Sequence, residues 1–210
     1  MSFQLHAITT GKQELEQASD IASIIHPFVD YIHIREKHRS AKELFHWVQT
    51  FIEADVPAEK IIVNDRVDVA LAAEAGGVQL TENSLPLQIV KPFTASMKAG
   101  CSIHEPAAAI KAESNGADWG LFGHIYPTAS KPGRTPAGLE QLKAATRAVN
   151  MPIIAIGGIM PHHIQEVKEA GASGIAVMSG IFGSKDPADT AAYYRNEINK
   201  EEKQTYEYRY

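Results

Sequence analysis

The stretch Ile153-Ile154-Ala155-Ile156-Gly157-Gly158-Ile159, followed by Pro161, an amphipathic run from Ile164 to Ala170, and then Gly174-Ile175-Ala176-Val177-Met178-Ser179-Gly180-Ile181, decides the fold. Two short, continuously apolar runs with a helix-period segment between them make one βαβ unit, because a strand buried on both faces shows no alternation. The same unit recurs along the chain. Strand candidates are Leu5–Ile8, Tyr31–Ile34, Ile61–Val63, Val78–Leu80, Ala99–Ile103, Trp119–Phe122, Ile153–Ile156 and Ile175–Val177. Between them, Leu15, Ile21, Ile24 and Ile25 supply one helical stripe, and Ala41, Leu44, Phe45, Val48 and Ile52 a cleaner one. Segments 106–112 and 139–148 follow the same plan. Eight strands, each followed by a helix or turn, in 210 residues predict one α/β domain, a parallel eight-stranded (β/α)8 TIM barrel. An open doubly wound sheet is the alternative. The barrel is expected over residues 1–200, with 201–210 as a charged C-terminal tail.

Composition narrows the function classes. Hydrophobic residues are 44% and charged residues 21%, so a normal core can form. Net charge is −5 without a basic block, which argues against a nucleic-acid partner. No run approaches the ~18 apolar residues of a membrane span, and the start has no signal-peptide pattern, so a cytoplasmic location is expected. The single cysteine, Cys101, cannot form an internal disulfide and reads as a packing residue.

In this barrel class chemistry sits on the loops after the strands, which selects the residues to weigh. Strands seven and eight both run into glycines, Gly157-Gly158 and Gly180. There the backbone can come close to a ligand and aim several N–H groups at one point. A tight turn alone would also explain the glycine pair, but two matched loops favour a phosphate cradle. On strand two, His33, Arg35 and Lys37 share one face while Ile32 and Ile34 face the other way. A polar row there suits an anion, with a solvated end paired to Glu36 as the bland reading. Asp65 is open between metal ligand, helix N-cap and partner of Arg66, the cap being sound chemistry. Ser102 is a candidate donor to a ligand, while His104 is expected to begin the next helix. Strand six feeds a long polar loop, Thr128-Ala129-Ser130-Lys131-Pro132-Gly133-Arg134-Thr135-Pro136, fit to close as a lid. His124 stands at that strand's tip, where an imidazole titrating near neutrality can move a proton. His162-His163 follows a proline at a helix start and is expected to be exposed.

Together these segments resemble the thiamin phosphate synthase superfamily over nearly the whole chain. Arg35, Lys37, Asn64, Asp65, Asp68, Ser102, Thr128, Lys131, Gly157, Gly158 and Ser179 stand where that superfamily has its motif residues. Its synthase joins a pyrimidine pyrophosphate to a thiazole phosphate with magnesium. Three departures are visible. His33 replaces a glutamine, Ser84 in Gln79-Leu80-Thr81-Glu82-Asn83-Ser84 replaces a magnesium-binding aspartate, and His124 occupies a Gly-Pro slot. A neutral hydroxyl is a poor magnesium ligand, although Glu82 is close in sequence.

Those departures resemble the sister branch, the TenI-type thiazole tautomerases. The resemblance implies an isomerase that aromatises a carboxylated thiazolylidene ethyl phosphate to thiazole carboxylate phosphate. His124 would be the catalytic base, moving a proton from ring C2 to the exocyclic carbon. Substrate binding would fall to Arg35, Lys37, Asn64, Ser102, Thr128, Lys131, Gly157, Gly158, Met178, Ser179 and Gly180, with no metal and no cofactor. The partners implied are the small thiazole phosphate and a second copy in a homodimer, with neither nucleic acid nor membrane. Two alternatives stay open: a magnesium-dependent thiamin phosphate synthase, and a non-catalytic ligand-binding or regulatory barrel.

Overall fold

The computed structural model describes residues 2–94 and 97–207, with side chains as far as residue 200. Eight parallel strands close into a barrel in sequence order: β1 (Gln4–Ile8), β2 (Tyr31–Ile34), β3 (Ile61–Asn64), β4 (Gly77–Leu80), β5 (Lys98–Ile103), β6 (Trp119–Gly123), β7 (Ile153–Ile156) and β8 (Gly174–Val177). Closure is made by β1 against β8, with Leu5 opposite Ile175 and Ala7 opposite Val177. The (β/α)8 barrel expected from the apolar runs is therefore the fold, and the open sheet is not. Where strands outgrow those runs, the added residues are Gln4, Asn64, Gly77, Lys98, Gly123 and Gly174. A ladder hydrogen bond needs only backbone, so polar residues and glycines extend strands that side-chain patterning stops short of.

The helices are α1 (Leu15–Ile25), α2 (Ala41–Glu53), α3 (Val67–Ala72), α4 (Leu87–Val90), α5 (Pro106–Ser114), α6 (Gly138–Ala148), α7 (Ile164–Glu169) and α8 (Pro187–Glu207). Helix α2 starts on a capping box, Ser40 accepting from the Glu43 N–H while Glu43 accepts from the Ser40 N–H at 2.8 Å. Helices α3 and α4 are too short for a helical period to emerge from sequence. The last helix continues into the segment read as a tail, and residues 208–210 lie outside the described residues. None of the described helices is long and apolar enough to cross a membrane.

Two packed layers result. One lies between strands and helices and includes Ile32, Ile34, Phe51, Phe122, Ile175 and Tyr194. The other fills the barrel with Ile8, Ile62, Trp119, Leu121, Ile154 and Ala176. Trp119 fits because the facing strand offers Gly100, where a Cβ would stand 2.2 Å from the indole. The barrel also holds a polar chain. Trp119 Nε1 donates to Gln79 Oε1 at 2.9 Å, and Gln79 Nε2 donates to Ser102 Oγ at 3.2 Å. His6 Nε2 donates to Gln4 Oε1, so neutral His6 uses Nδ1 to accept from His33 Nε2 at 2.9 Å.

His33 therefore corrects the sequence reading of strand two. It does point away from Ile32 and Ile34, but into the sealed barrel, where it is 1% exposed and bonded to His6. It takes no part in an anion row at the mouth. Closing the barrel turns an inward side chain at mid-strand into core, which a strand considered alone cannot reveal.

Candidate active site

The C-terminal mouth is built from the loops after each strand, beginning with β1 and β2. Thr9 donates to Glu36 Oε1 at 2.6 Å and accepts from the Arg35 N–H at 2.9 Å. Glu36 is thus turned inward and buried rather than paired with the strand-two cations in solvent. Burial pushes its carboxyl up from the usual range, opposed by its bonds to Thr9 and the Gly11 backbone and by the charges of Arg39 and Arg35. Arg35 is half-buried, and desolvation lowers its guanidinium while Glu36 opposes that. Beside these residues a cleft of about 280 Å3 opens, lined by Thr10, Gly11, Arg35, Glu36, Lys37, His38, Arg39 and Glu43.

Across the mouth, the loop after β6 brings Lys131 to the same place. Its ammonium is pushed down by burial, then by the charge of Arg134, with Glu82 opposing and Arg35 and Lys37 adding to the depression. Lys131 thus feels the charges of three further cations, Arg134, Arg35 and Lys37, against that of Glu82. Such an excess of positive charge on converging loops is an anion site. Arg134 was not among the residues singled out from sequence. It sits in the quoted polar loop, where no periodicity marks which cation turns to the site.

The loop itself is held by His124. The ring Nε2 donates to the Arg134 carbonyl at 3.3 Å, and the His124 carbonyl accepts from the Ala137 N–H at 2.8 Å. The residue is only 6% exposed and lies against Gly157, where a Cβ would come within 2.3 Å of the His124 Cβ. His104 does not begin α5. It precedes that helix and donates from Nδ1 to the Gly123 carbonyl at 2.6 Å, fixing the peptide that leads into His124.

Gly157 and Gly158 take φ of 102° and 69°, values an L side chain adopts rarely. A Cβ on Gly158 would meet the carbonyls of Pro127 at 2.6 Å and Tyr126 at 2.8 Å. Both the turn and the close approach of the β6 loop thus demand glycine, so the turn reading and the cradle reading coexist. After β8, Phe182 and Gly183 donate to the carbonyls of Met178 and Ser179 at 3.0 and 3.2 Å. This opens a helical turn at Met178, Ser179 and Gly180, and the first N–H groups of such a turn have no partner within it. Tyr194 of α8 spans the two glycine loops, donating to the Ile159 carbonyl at 2.9 Å and lying 3.0 Å from the Cβ position of Gly180.

The remaining candidates divide. Asn64 ends β3 opposite Gln79, and Ser102, accepting from Gln79, keeps its hydroxyl proton for another acceptor. Thr128 Oγ1 accepts from the Ser130 N–H at 3.3 Å, shaping the start of the lid loop. Asp65 is not the N-cap of α3. It has a left-handed φ of 70° and accepts from Ser84 Oγ, while Arg66 pairs with Asp68 at 2.9 Å through Nε. Cys101 is half-buried, and burial pushes its thiol up to about 11, which suits packing rather than attack. His163 is not simply exposed: its ring stacks on Tyr126 with centroids 3.9 Å apart. Tyr126 and His163 are 37 residues apart, so no local pattern could have paired them.

A profile of the family described as thiamine monophosphate synthase matches residues 5–181. The thiamine-phosphate synthase of Chlorobium limicola is 41% identical over 160 residues, covering 74% of this chain and 76% of that protein. That of Pyrococcus furiosus is 35% identical over 156 residues, covering 74% and 75%. Among solved structures, thiamine phosphate pyrophosphorylase from Pyrococcus furiosus superposes with a TM-score of 0.80 at 30% identity, covering 94% of this chain and 96% of that one. A 3-hexulose-6-phosphate synthase, with a TM-score of 0.71 and 19% identity, shares the fold alone.

These relatives overturn the isomerase expected from the three departures. The named homologues are synthases, transferases rather than thiazole tautomerases. At the departures themselves, Ser84 Oγ donates to Asp65, and His124 Nε2 donates to the Arg134 carbonyl.

Proposed function

The chain belongs to the thiamine monophosphate synthase family, and we propose that it is a thiamine-phosphate synthase, joining a pyrimidine pyrophosphate to a thiazole phosphate. The cations Arg35 and Lys37 lining the cleft after β2, the cations Lys131 and Arg134 on the loop after β6, and the paired glycine loops after β7 and β8 carry this reading. A transferase with two phosphorylated substrates needs two anion sites facing one space.

On this reading Arg35, Lys37, Lys131 and Arg134 hold the pyrophosphate, with Asn64, Ser102 and Thr128 offering polar contacts to the pyrimidine half. Gly157, Gly158, Met178, Ser179 and Gly180 take the thiazole phosphate on backbone N–H groups, the usual phosphate position of this fold. The thiazole ring nitrogen forms its bond to the pyrimidine's carbon as the bond to pyrophosphate breaks, and the electron pair leaves with pyrophosphate. Positive side chains already in place stabilise the charge that develops there. His124 anchors the loop carrying Lys131 and Arg134 and does no proton transfer.

Magnesium fits this chemistry as a companion of the pyrophosphate. Asp65 offers an exposed carboxylate with the Ser84 hydroxyl bonded to it, and magnesium commonly uses one or two carboxylates plus substrate phosphates and water. Asp65 would hold the ion, oriented by its bond from Ser84 and with Glu82 nearby in the chain, and the ion would neutralise leaving-group charge.

The chain acts as a single unit over residues 1–200 and works in the cytoplasm, where a lone thiol is at home. A homodimer is expected, and Leu85, Ile89 and Phe93, large apolar side chains exposed in and beside α4, offer apolar surface for it.

The test mixes purified protein with pyrimidine pyrophosphate and thiazole phosphate and follows thiamine phosphate, with and without magnesium. Formation that needs magnesium, and that falls about 10²-fold in kcat/KM in Lys131→Ala, is expected. Wild type no faster than buffer overturns the reading.

A further inference from the structure

We propose that His163 is a positioning residue for the phosphate-binding loop, holding the Gly157–Gly158 turn in the shape that receives the thiazole phosphate. The inference rests on the phosphate placement given above. It concerns a residue outside the mouth, on the 3-10 turn (Pro161–His163) that precedes α7.

Two contacts converge on this one ring. Its face lies on Tyr126, centroids 3.9 Å apart and planes within 16°. Its Nδ1 accepts from the Met160 N–H at 3.0 Å. A neutral ring that accepts at Nδ1 carries its proton on Nε2, and burial, followed by the charge of His162, lowers the ring's pKa and so favours that neutral form. Tyr126 is in turn fixed by donating to Glu166 Oε1 at 2.6 Å.

The glycine turn depends on those anchors. Gly157 and Gly158 have no side chains to hold them and occupy a φ region that gives them no local preference over other conformations. What sets their shape is therefore external. Tyr126 supports the turn directly, its N–H donating to the Gly157 carbonyl at 3.0 Å and its Cβ lying 2.9 Å from the Cβ position of Gly158. His163 closes the triangle by joining the ring of that same tyrosine to the backbone N–H of Met160, two residues beyond Gly158. On the far side Tyr194 holds the Ile159 carbonyl. Without His163 the turn loses one of its two lateral supports, and backbone N–H groups then fail to point together.

A residue that merely packed α7 would lower stability without regard to substrate. A positioning residue weakens one substrate selectively, and a partial mimic restores it. The probes are inorganic phosphate and thiazole phosphate, titrated by calorimetry into the full chain as wild type, His163→Ala and His163→Asn. Asparagine places an acceptor where Nδ1 stands and so keeps the Met160 bond. We expect His163→Ala to bind both probes about tenfold more weakly, and His163→Asn to recover to within about threefold. In turnover, KM for thiazole phosphate should rise with kcat and KM for pyrimidine pyrophosphate little changed.

Should His163→Ala not fold, Tyr126→Phe and His163→Asn carry the comparison, each with an expected loss of about two- to threefold. Variants that fold and bind phosphate as wild type does overturn the inference, as does a uniform loss affecting both substrates. A wild type that binds neither probe overturns it together with the phosphate placement. If wild type binds thiazole phosphate but makes no thiamine phosphate, the synthase reading fails, and the binding comparison still decides the role of His163.

Discussion

His6 and His33 are the most deeply placed titratable residues whose chemistry the mouth does not use. Burial lowers His6 to about 3, helped by the charge of Lys98, and burial likewise holds His33 well below the usual histidine value, with His6 adding to it. The unfolded chain binds protons at these rings from about pH 6.5 downward, whereas the folded barrel refuses them. Stability from the neutral pair is therefore full above pH 6.5 and is lost as pH falls toward the folded value. Each unit of unequal protonation is worth up to about 1.4 kcal/mol per ring. His6→Gln, which cannot be protonated, should flatten the fall in thermal midpoint between pH 6.5 and 4.5 relative to wild type. An unchanged pH profile would sink the assignment. At this scale sequence reading identified Arg35, Lys37 and Lys131 as cations worth weighing, because each ends a strand or sits in a long loop. It could not place His33, because a ring on an inward face is core or ligand contact according to how far along the strand the barrel is sealed.

Elements meet by small residues as much as by large ones. Between β5 and β6, Gly100 makes room for Trp119, which spans the barrel to Gln79 and lies 6.0 Å from the His6 ring. Gly100→Ala would drive a methyl into the indole and should cost about 1–3 kcal/mol by overpacking. Urea unfolding would measure it, and Trp119→Phe in the same chain should recover part of the loss, since contacting sites are not additive. Equal stability of Gly100→Ala and wild type would mean that the indole can move aside. The strand positions themselves were legible within a residue at either end, because a buried parallel strand announces itself as an apolar run. The short helices α3 and α4 were not, having six and four residues against a period of 3.6. The reach of the β6 loop across the mouth was also hidden, since its length was visible but its direction is set by the bonds from His124 to Arg134 and Ala137.

For the molecule as a whole, the last helix locks the first strand. Arg195 of α8 donates to Asp30 at 2.6 Å, to the Phe28 carbonyl at 2.8 Å and to the Phe3 carbonyl at 3.4 Å, while Asp30 accepts from the Leu5 N–H at 2.7 Å. One guanidinium thus ties the last helix to the segments that enter β1 and β2. Arg195→Ala should lower unfolding free energy by about 2 kcal/mol, since a charged donor leaves several half-buried acceptors unpaired. Hydrogen exchange should show the gain in opening at β1 before the middle strands, and protection lost evenly around the barrel would contradict it. Sequence by itself determined the eight-unit barrel and the superfamily, though not the branch within it, because apolar runs, helical stripes and motif residues are properties of short segments. Only the tertiary structure decided which side chains meet: His33 with His6 inside the barrel, Ser84 with Asp65, and His163 with Tyr126. The meaning of a substituted residue depends on its neighbour across the fold, and those neighbours are fixed by barrel closure, which no segment of the chain encodes alone.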